Sequence, residues 1–502
     1  MAEGELFIGQ GFESGERDGP QSLRLDRANR HGLVTGATGT GKTVTLQGLA
    51  ESFAAAGVPV FAADVKGDLS GIALPGTASE KLLARAQAMN LPWEPKAAPA
   101  IFWDLFGEKG CPVRTTISEM GPVLLSRLLE LEDAQAGLMD IVFQVADDEG
   151  MLLLDLDDLQ AMLVSVGQNA KEIGLKYGNV APATVGAVQR KLLSLRNQGG
   201  EKLFGEPALR LEDLMRTGVD GRGYVSVLAS DKLINSPQLY ATFLLWLMSE
   251  LFENLPEVGD QPKPRMVFFF DEAHLLFTDA PKSLLQKIEQ VVRLIRSKGV
   301  SIWFITQSPT DIPESVLAQL GTRIQHALRA YTPNEQAALQ LASRSFRANP
   351  AFDTAEAIQN LGVGEALIST LDEKGAPTMV ARTKIRPPFS RIGPATAEER
   401  SGLTAASPVT ASYATAVNRE SAFERLKARA EAAAVPPPPA PAPAQAREPE
   451  PRYERERPAP RPRASNRQSA GEALVKSVVR AAGSQLGRQL MRGLMGSLLK
   501  GR

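Results

Sequence analysis

The chain has 502 residues, 43% of them hydrophobic, which is enough for one large domain with insertions or for two to three ordinary domains. Its formal net charge of −1 excludes the global basic excess of a histone-like DNA coat, so any surface for nucleic acid must be local. The single cysteine, Cys111, excludes internal disulfides, and a total of three histidines argues against a histidine-rich metal centre.

The predicted elements begin with two short extended pieces, Glu5–Gly9 and Ser22–Leu25. The apolar run His31–Thr35 predicts a buried parallel strand. Apolar residues at helical spacing predict a helix over Thr43–Ala56, and Val58–Ala63 predicts the next strand. This strand–loop–helix–strand order is a βαβ unit, so we predict an α/β fold built on a mainly parallel sheet.

The loop between that first strand and its helix matches the pattern G-x-x-x-x-G-K-[ST]. Its glycines allow backbone N–H groups to turn towards one point, where the helix amino terminus adds partial positive charge. We expect the lysine to contact the β- and γ-phosphates of ATP and the final threonine to bind Mg²⁺. A glycine-rich turn without a ligand is the alternative, and the flanking strand and helix argue against it. The eight residues are Gly36, Ala37, Thr38, Gly39, Thr40, Gly41, Lys42 and Thr43.

The amino-acid composition changes at about residue 112 and stays different to about residue 218. This stretch is rich in Leu, Met, Glu, Asp and Gln at helical spacing, for example in Val123–Val145 and Leu156–Val166. It predicts an all-helical insertion in the α/β core. The strand pattern resumes at Tyr224–Ala229, and Gln238–Phe252 predicts a largely buried helix.

Two acidic residues, Asp271 and Glu272, follow the strongly apolar strand Met266–Phe270. Ligands of open α/β sheets bind at the carboxyl ends of the strands. We therefore expect Asp271 to hold Mg²⁺ through water, and Glu272 to orient and deprotonate the attacking water. Alone, the pair would be read as an acidic turn, but together with a phosphate-binding loop it predicts hydrolysis.

Gln307 ends the next apolar strand, Ser301–Thr306, where its amide is placed to sense the γ-phosphate; a polar strand cap is the alternative. Hydrolysis also needs an arginine to stabilise charge on the transferred phosphoryl group. Composition alone does not choose among the four candidates, which are Arg293, Arg296, Arg323 and Arg329. Two further strands, Ala366–Thr370 and Thr378–Thr383, predict a terminal hairpin.

Beyond Pro387 the composition shifts to Pro, Ala, Arg and Glu, which predicts a disordered linker with an isolated helix at Ala422–Ala434. Gly471–Arg502 reads as a basic amphipathic helix interrupted by glycines. It could bind a partner helix or an anionic membrane surface, or act as a solubilising tail, and its glycines favour the partner helix. The predicted divisions are core 1–111, insertion 112–218, core 219–387, linker 388–470 and terminal helix 471–502.

Four motifs in this order resemble the HerA/FtsK group of ATPases, most closely the bacterial HerA-like branch that includes YjgR. They are Asn29–Gly32 running into the loop, Ala63–Gly71, Phe269–His274 and Phe304–Gln307. The tetrapeptide Asp271–His274 also spells the DEAH of a helicase superfamily, but about 230 residues separate it from the loop and no second motor follows.

The resemblance covers roughly residues 1–387 and implies a RecA-like core, a hexameric ring and DNA translocation through a central pore. It also implies an arginine finger from the neighbouring subunit, on the helix before the glutamine strand, which favours Arg296 over Arg293.

Two functions therefore stay open. The first is an ATP-driven DNA translocase or helicase-like ring, whose ATPase should respond to DNA. The second is a DNA-independent ATPase that remodels or anchors a protein complex, possibly at the membrane surface. A nucleotide switch without turnover is weaker, because a switch does not need Glu272 as a base. The lack of a leader or long apolar run, together with the single cysteine, predicts a cytoplasmic location.

Overall fold

The computed structural model describes residues 4–233, 236–278 and 282–434. They form two compact units, the first from residues 4–115 with Gln198–Val417 and the second from Thr116–Asn197 with residues 418–434. The predicted terminal helix, Gly471–Arg502, and the predicted linker from residue 435 lie outside the described residues.

The first unit is built on one sheet, in which twelve strands of the described chain lie in the order β2-β1-β12-β11-β10-β3-β9-β8-β4-β7-β5-β6. All pairs from β10 to β6 are parallel, and the pairs from β2 to β10 are antiparallel. This confirms the predicted α/β class with a mainly parallel sheet. The strands are β1 (Glu5–Gly11), β2 (Gly19–Arg24), β3 (Gly32–Thr35), β4 (Val60–Asp64), β5 (Ala100–Asp104), β6 (Cys111–Pro112), β7 (Val225–Ala229), β8 (Met266–Phe270), β9 (Val300–Thr306), β10 (Thr322–Gln325), β11 (Glu365–Ser369) and β12 (Ala381–Ile385).

Helices cover the strands of the first unit and make up the second. The described helices are α1 (Lys42–Ala55), α2 (Glu80–Ala88), α3 (Ile117–Leu128), α4 (Asp133–Asp148), α5 (Leu156–Gln168), α6 (Ala170–Tyr177), α7 (Pro182–Asn197), α8 (Leu211–Leu214), α9 (Pro237–Asn254), α10 (Lys282–Leu294), α11 (Glu314–Leu317), α12 (Pro333–Arg344), α13 (Thr354–Asn360), α14 (Ala397–Ala405), α15 (Thr410–Tyr413) and α16 (Ala422–Ala434). Among the described residues, no helix combines the length and apolar character needed to cross a bilayer.

The core of the first unit lies between α1 and the centre of the sheet. Every residue of β8 is buried, as expected for a parallel strand covered on both faces. Phe53 of α1 packs against Phe269 and Trp303, with ring centroids 6.3 and 6.4 Å apart. Gly32 lies under the same indole, since a Cβ there would be 2.3 Å from a ring carbon of Trp303. This packing fixes where β3 ends and α1 begins.

The second unit is helical throughout its described residues, with α3 to α7 joined by α16. Its helices begin at capped residues: Thr116 caps α3, and the Asp155 side chain accepts backbone N–H groups at the start of α5. α16 packs on α5, where the Ser421 hydroxyl donates to Asp158 at 2.6 Å and Ala422 and Ala430 are fully buried.

The segment after Pro387 differs from the disordered linker that we expected, because α14 and α15 lie within it. The predicted helix Ala422–Ala434 is present as α16, but it packs on α5 and is not isolated. The Tyr413 hydroxyl donates to Asp213 at 2.7 Å, and its ring lies edge-on to Trp103 at 5.1 Å. Alanine, arginine and glutamate favour helices, and a few buried anchors such as Tyr413 order a segment that its average composition describes as polar.

Candidate functional site

The loop Gly36–Thr43 is the turn between β3 and α1. Its three glycines have φ angles of 151°, 78° and 113°, and a Cβ on Gly36 would lie 2.5 Å from the Cβ of His326. Lys42 opens α1 with only 6% of its surface exposed. Its Nζ donates to the carbonyls of Gly36 at 2.6 Å and Ala37 at 3.1 Å. The ammonium is therefore folded back into the loop, in the place that a phosphate-binding lysine needs.

The strands beside β3 hold this loop in place. The N–H of Ala37 donates to Ala327, and the N–H of Gly364 donates to Thr40, both at 2.9 Å. His326 is fully buried, with its Nδ1 2.9 Å from the Glu365 carbonyl and its Nε2 2.9 Å from the Thr45 hydroxyl. Burial lowers the pKa of His326 to about 4, so a neutral ring joins α1 to the sheet. Sequence analysis gave this histidine no role.

Asp271 and Glu272 follow β8, which is separated from β3 by β9 alone. They are 8% and 4% exposed, and Glu272 has a φ of 48°. Burial, together with the charge of Glu272, raises the pKa of Asp271 to about 7. A bound cation favours the ionised form of such a carboxyl, so Asp271 is suited to a divalent metal with oxygen ligands.

Glu272 is held by three neighbours at the same edge of the sheet. The ammonium of Lys66 lies 2.6 Å from Oε1, and the amide of Gln307 and the Nδ1 of His274 both lie 3.4 Å from Oε2. Burial alone would raise the pKa of Glu272, but the hydrogen bond and charge of Lys66 lower it. Glu272 is therefore a carboxylate at neutral pH, as a general base must be.

The charges of Lys66 and the acidic pair also act on the loop lysine. Burial and the charge of Lys66 lower the pKa of Lys42, while Glu272 and Asp271 raise it. The structure thus brings together the loop, the acidic pair and Gln307, as the strand ends predicted. It adds Lys66, which lies in the motif Ala63–Gly71. A lysine in a polar loop gives no sequence pattern from which its contact with Glu272 could be predicted.

Arg296 lies away from this cluster. It is exposed, in the 3₁₀ turn Ile295–Lys298 that precedes β9, whereas Gln307 follows the other end of β9. A strand of seven residues spans roughly 20 Å at about 3.3 Å per residue. Arg296 therefore lies at the amino ends of the strands, whereas its own chain's site lies at their carboxyl ends. Arg293, in the last turn of α10, lies at the amino ends too.

Residues 11–502 match the family model described as Helicase HerA-like C-terminal. No curated protein matches the sequence. Solved structures that match include VirB4 of Thermoanaerobacter pseudethanolicus, with 15% identity over 77% of this chain and 97% of that chain and a TM-score of 0.48. The plasmid coupling protein TrwB matches in complex with ADP and Mg²⁺, with 15% identity over 76% and 91% and a TM-score of 0.46. It also matches in complex with the ATP analogue ADPNP, with 17% identity over 75% and 89% and a TM-score of 0.45.

Proposed function

The chain belongs to the HerA-like helicase C-terminal family, and from that membership we propose that it is an Mg²⁺-dependent, ATP-hydrolysing motor that forms a ring and translocates DNA. The observation that carries the hydrolytic part is the arrangement of Glu272. This buried carboxylate is paired with Lys66 and lies 3.4 Å from the amide of Gln307. It lies at the carboxyl ends of the strands, where the loop Gly36–Thr43 follows β3. A protein that only bound nucleotide would not need a base there.

The roles of the individual residues follow from their positions. The loop N–H groups and Lys42 bind the β- and γ-phosphates, and Thr43 and Asp271 are the oxygen ligands available to Mg²⁺. The ion, when bound, neutralises charge on the phosphates. Glu272 takes the proton of the attacking water, while Gln307, whose amide already donates to Glu272, orients that water and contacts the γ-phosphate.

A ring of subunits would explain why Arg296 lies far from the nucleotide site of its own chain. Because its own site lies at the opposite sheet edge, Arg296 acts on the site of a neighbouring subunit. DNA as the substrate is supported by the helicase family to which the chain belongs. We further propose a cytoplasmic location, and a partner helix or membrane surface for the terminal helix Gly471–Arg502.

ATPase turnover of the full chain, with and without single- and double-stranded DNA, tests this function. We expect turnover that DNA stimulates and that salt weakens. Glu272→Gln should lower kcat by about a hundredfold or more, because a general base is lost. Lys42→Ala should abolish turnover, while Glu356→Gln, at an exposed position, should leave it unchanged.

The outcomes separate the two candidate functions. If DNA changes neither the rate nor the affinity of a working ATPase, the translocase proposal is wrong, and the chain acts as an ATPase on a protein complex. If Glu272→Gln keeps full turnover, the base assignment is wrong.

A further inference from the structure

A cavity of about 590 Å³ lies in the first unit, over the carboxyl ends of β4 and β5. Its lining comes from the loop after β4, the loop after β5 and the segment around α14. The loop Gly36–Thr43 takes no part in it, and Lys66 is its one lining residue in contact with Glu272. A volume of this size accommodates a small ligand.

The two loops of this cavity are built alike. Asp64 ends β4 and accepts the N–H groups of Gly67 and Leu69. Asp104 ends β5 and accepts the N–H groups of Phe106, Glu108 and Lys109. Each aspartate therefore fixes its own loop, so the lining side chains are positioned before any ligand binds.

Arg400, on α14, is the residue of this cavity that calls for a ligand. It is only 8% exposed, with its guanidinium 5.2 Å from the ring centroid of Phe102 and its Nε buried without a hydrogen-bond partner. Across the described chain, no residue accepts a hydrogen bond from this guanidinium, although its positive charge opposes the rise that burial causes in the pKa of Asp64. A buried guanidinium without an acceptor is unfavourable, so buried arginines are normally paired.

The other buried arginine of this unit shows what pairing looks like. Arg386 is 3% exposed, and its guanidinium donates to Glu51, to the Ser52 hydroxyl and to the carbonyls of Phe7 and Gly48. Arg400 is nearly as buried and lacks such acceptors. The acceptor that it lacks can be supplied from the cavity that it lines.

The remaining lining narrows the chemistry of the ligand. Lys66 and Lys109 also line the cavity, but each is paired with a carboxylate, of Glu272 and of Asp231. The cation left for an anion is therefore Arg400. Asp68 Oδ1 and Thr404 Oγ1 are also buried without partners, and a carboxylate oxygen requires a donor. A phosphate group with a protonated oxygen or a neighbouring hydroxyl supplies both an acceptor for Arg400 and a donor for Asp68.

We propose that this cavity is a second binding site, separate from the nucleotide loop, for a small phosphate-bearing ligand anchored by Arg400. A guanidinium is suited to this role because its planar donors match two phosphate oxygens. The site goes beyond hydrolysis, and its lining residue Lys66 is the contact that it shares with Glu272.

The test measures binding of inorganic phosphate to the full chain carrying Lys42→Ala, which removes the charged phosphate contact of the nucleotide loop and leaves its N–H groups. Titration calorimetry or phosphorus NMR line broadening should show one saturable site per chain. Arg400→Gln should weaken this binding about tenfold or more, since a charge-assisted hydrogen bond is lost. Arg344→Gln, an exposed arginine on α12, is the matched control and should leave it unchanged.

A second variant keeps the test decisive if Arg400→Gln does not fold. Ser401 is exposed and lines the cavity, so Ser401→Glu should keep the fold and repel phosphate. The proposal is overturned if no saturable binding is seen, or if both Arg400→Gln and Ser401→Glu bind phosphate as tightly as the parent. Either result leaves the ATPase proposal standing, because no hydrolysis is measured.

Discussion

At the scale of single residues, Lys66 controls the protonation of Glu272. The ammonium lies 2.6 Å from the carboxylate and lowers its pKa against the opposing effect of burial. Lys66→Met should therefore raise the pKa of Glu272, so the base stays protonated to higher pH. The acid limb of the kcat–pH profile for ATP hydrolysis should move towards higher pH.

The conservative variant separates charge from packing. Lys66→Arg keeps a positive charge beside Glu272, so its acid limb should stay close to that of the parent. A Lys66→Met enzyme with lower kcat but an unmoved acid limb would contradict this account, because it would show a structural role without an electrostatic one.

The residues that sequence could predict are those tied to strand ends. Asp271, Glu272 and Gln307 follow apolar runs, and parallel strands bring their carboxyl ends to one edge, so their proximity could be predicted. Lys66 and His326 could not, because their contacts depend on β4 lying beside β8 and β10 beside β3. The pattern of one sequence does not determine the order of strands. Arg400 depends likewise on a distant segment packing over β5.

At the scale of elements, a buried ion pair holds α1 to the chain that follows β12. Arg386 lies 2.7 Å from Glu51, and the same carboxylate accepts the N–H groups of Phe389 and Ser390. Arg386→Met should lower the free energy of unfolding by about 3–5 kcal/mol, because it leaves a buried charge unpaired. Chemical denaturation should measure this difference.

A double variant and a more exposed pair check the cause. Arg386→Met combined with Glu51→Leu should lose less than the sum of the two single variants, since neither charge is then left alone. Arg391→Met, which breaks the more exposed pair with Glu399, should cost far less than Arg386→Met, because solvent screens the exposed pair. Additive effects of the two buried substitutions would contradict the pairing.

Elements were more predictable than their boundaries. The buried strand β8 has its predicted bounds and β11 lies within one residue of them, whereas β12 begins at Ala381 instead of Thr378. β10 ends at Gln325, and the next residue, His326, joins the sheet to α1 through the Thr45 hydroxyl. Local pattern cannot reveal a tertiary contact of this kind.

At the scale of the whole molecule, the position of Arg296 predicts that active sites are shared between subunits. Lys42→Ala and Arg296→Ala should each be inactive alone. When the two are mixed, an intact loop in one subunit meets an intact Arg296 from its neighbour, so part of the ATPase activity should return. The readout is ATP turnover across mixing ratios.

Arg293→Ala is the matched control for this experiment, being an exposed arginine three residues away in the last turn of α10. It should keep activity alone. If mixtures of Lys42→Ala and Arg296→Ala stay as inactive as their components, Arg296 does not serve a neighbouring site.

The pairing of β1 with β12 has a consequence for folding during synthesis of the chain. One of the two edges of β1 is completed only by residues 381–385, which are made long after β1. At about 5–20 residues per second, the nascent chain carries that open edge for roughly 20 s or longer. The hairpin of β1 and β2 therefore waits until β12 has been made, a period in which a chaperone or a bulge at its free edge has to prevent wrong pairing. The register shift between Phe7 and Gly9 lies in this hairpin.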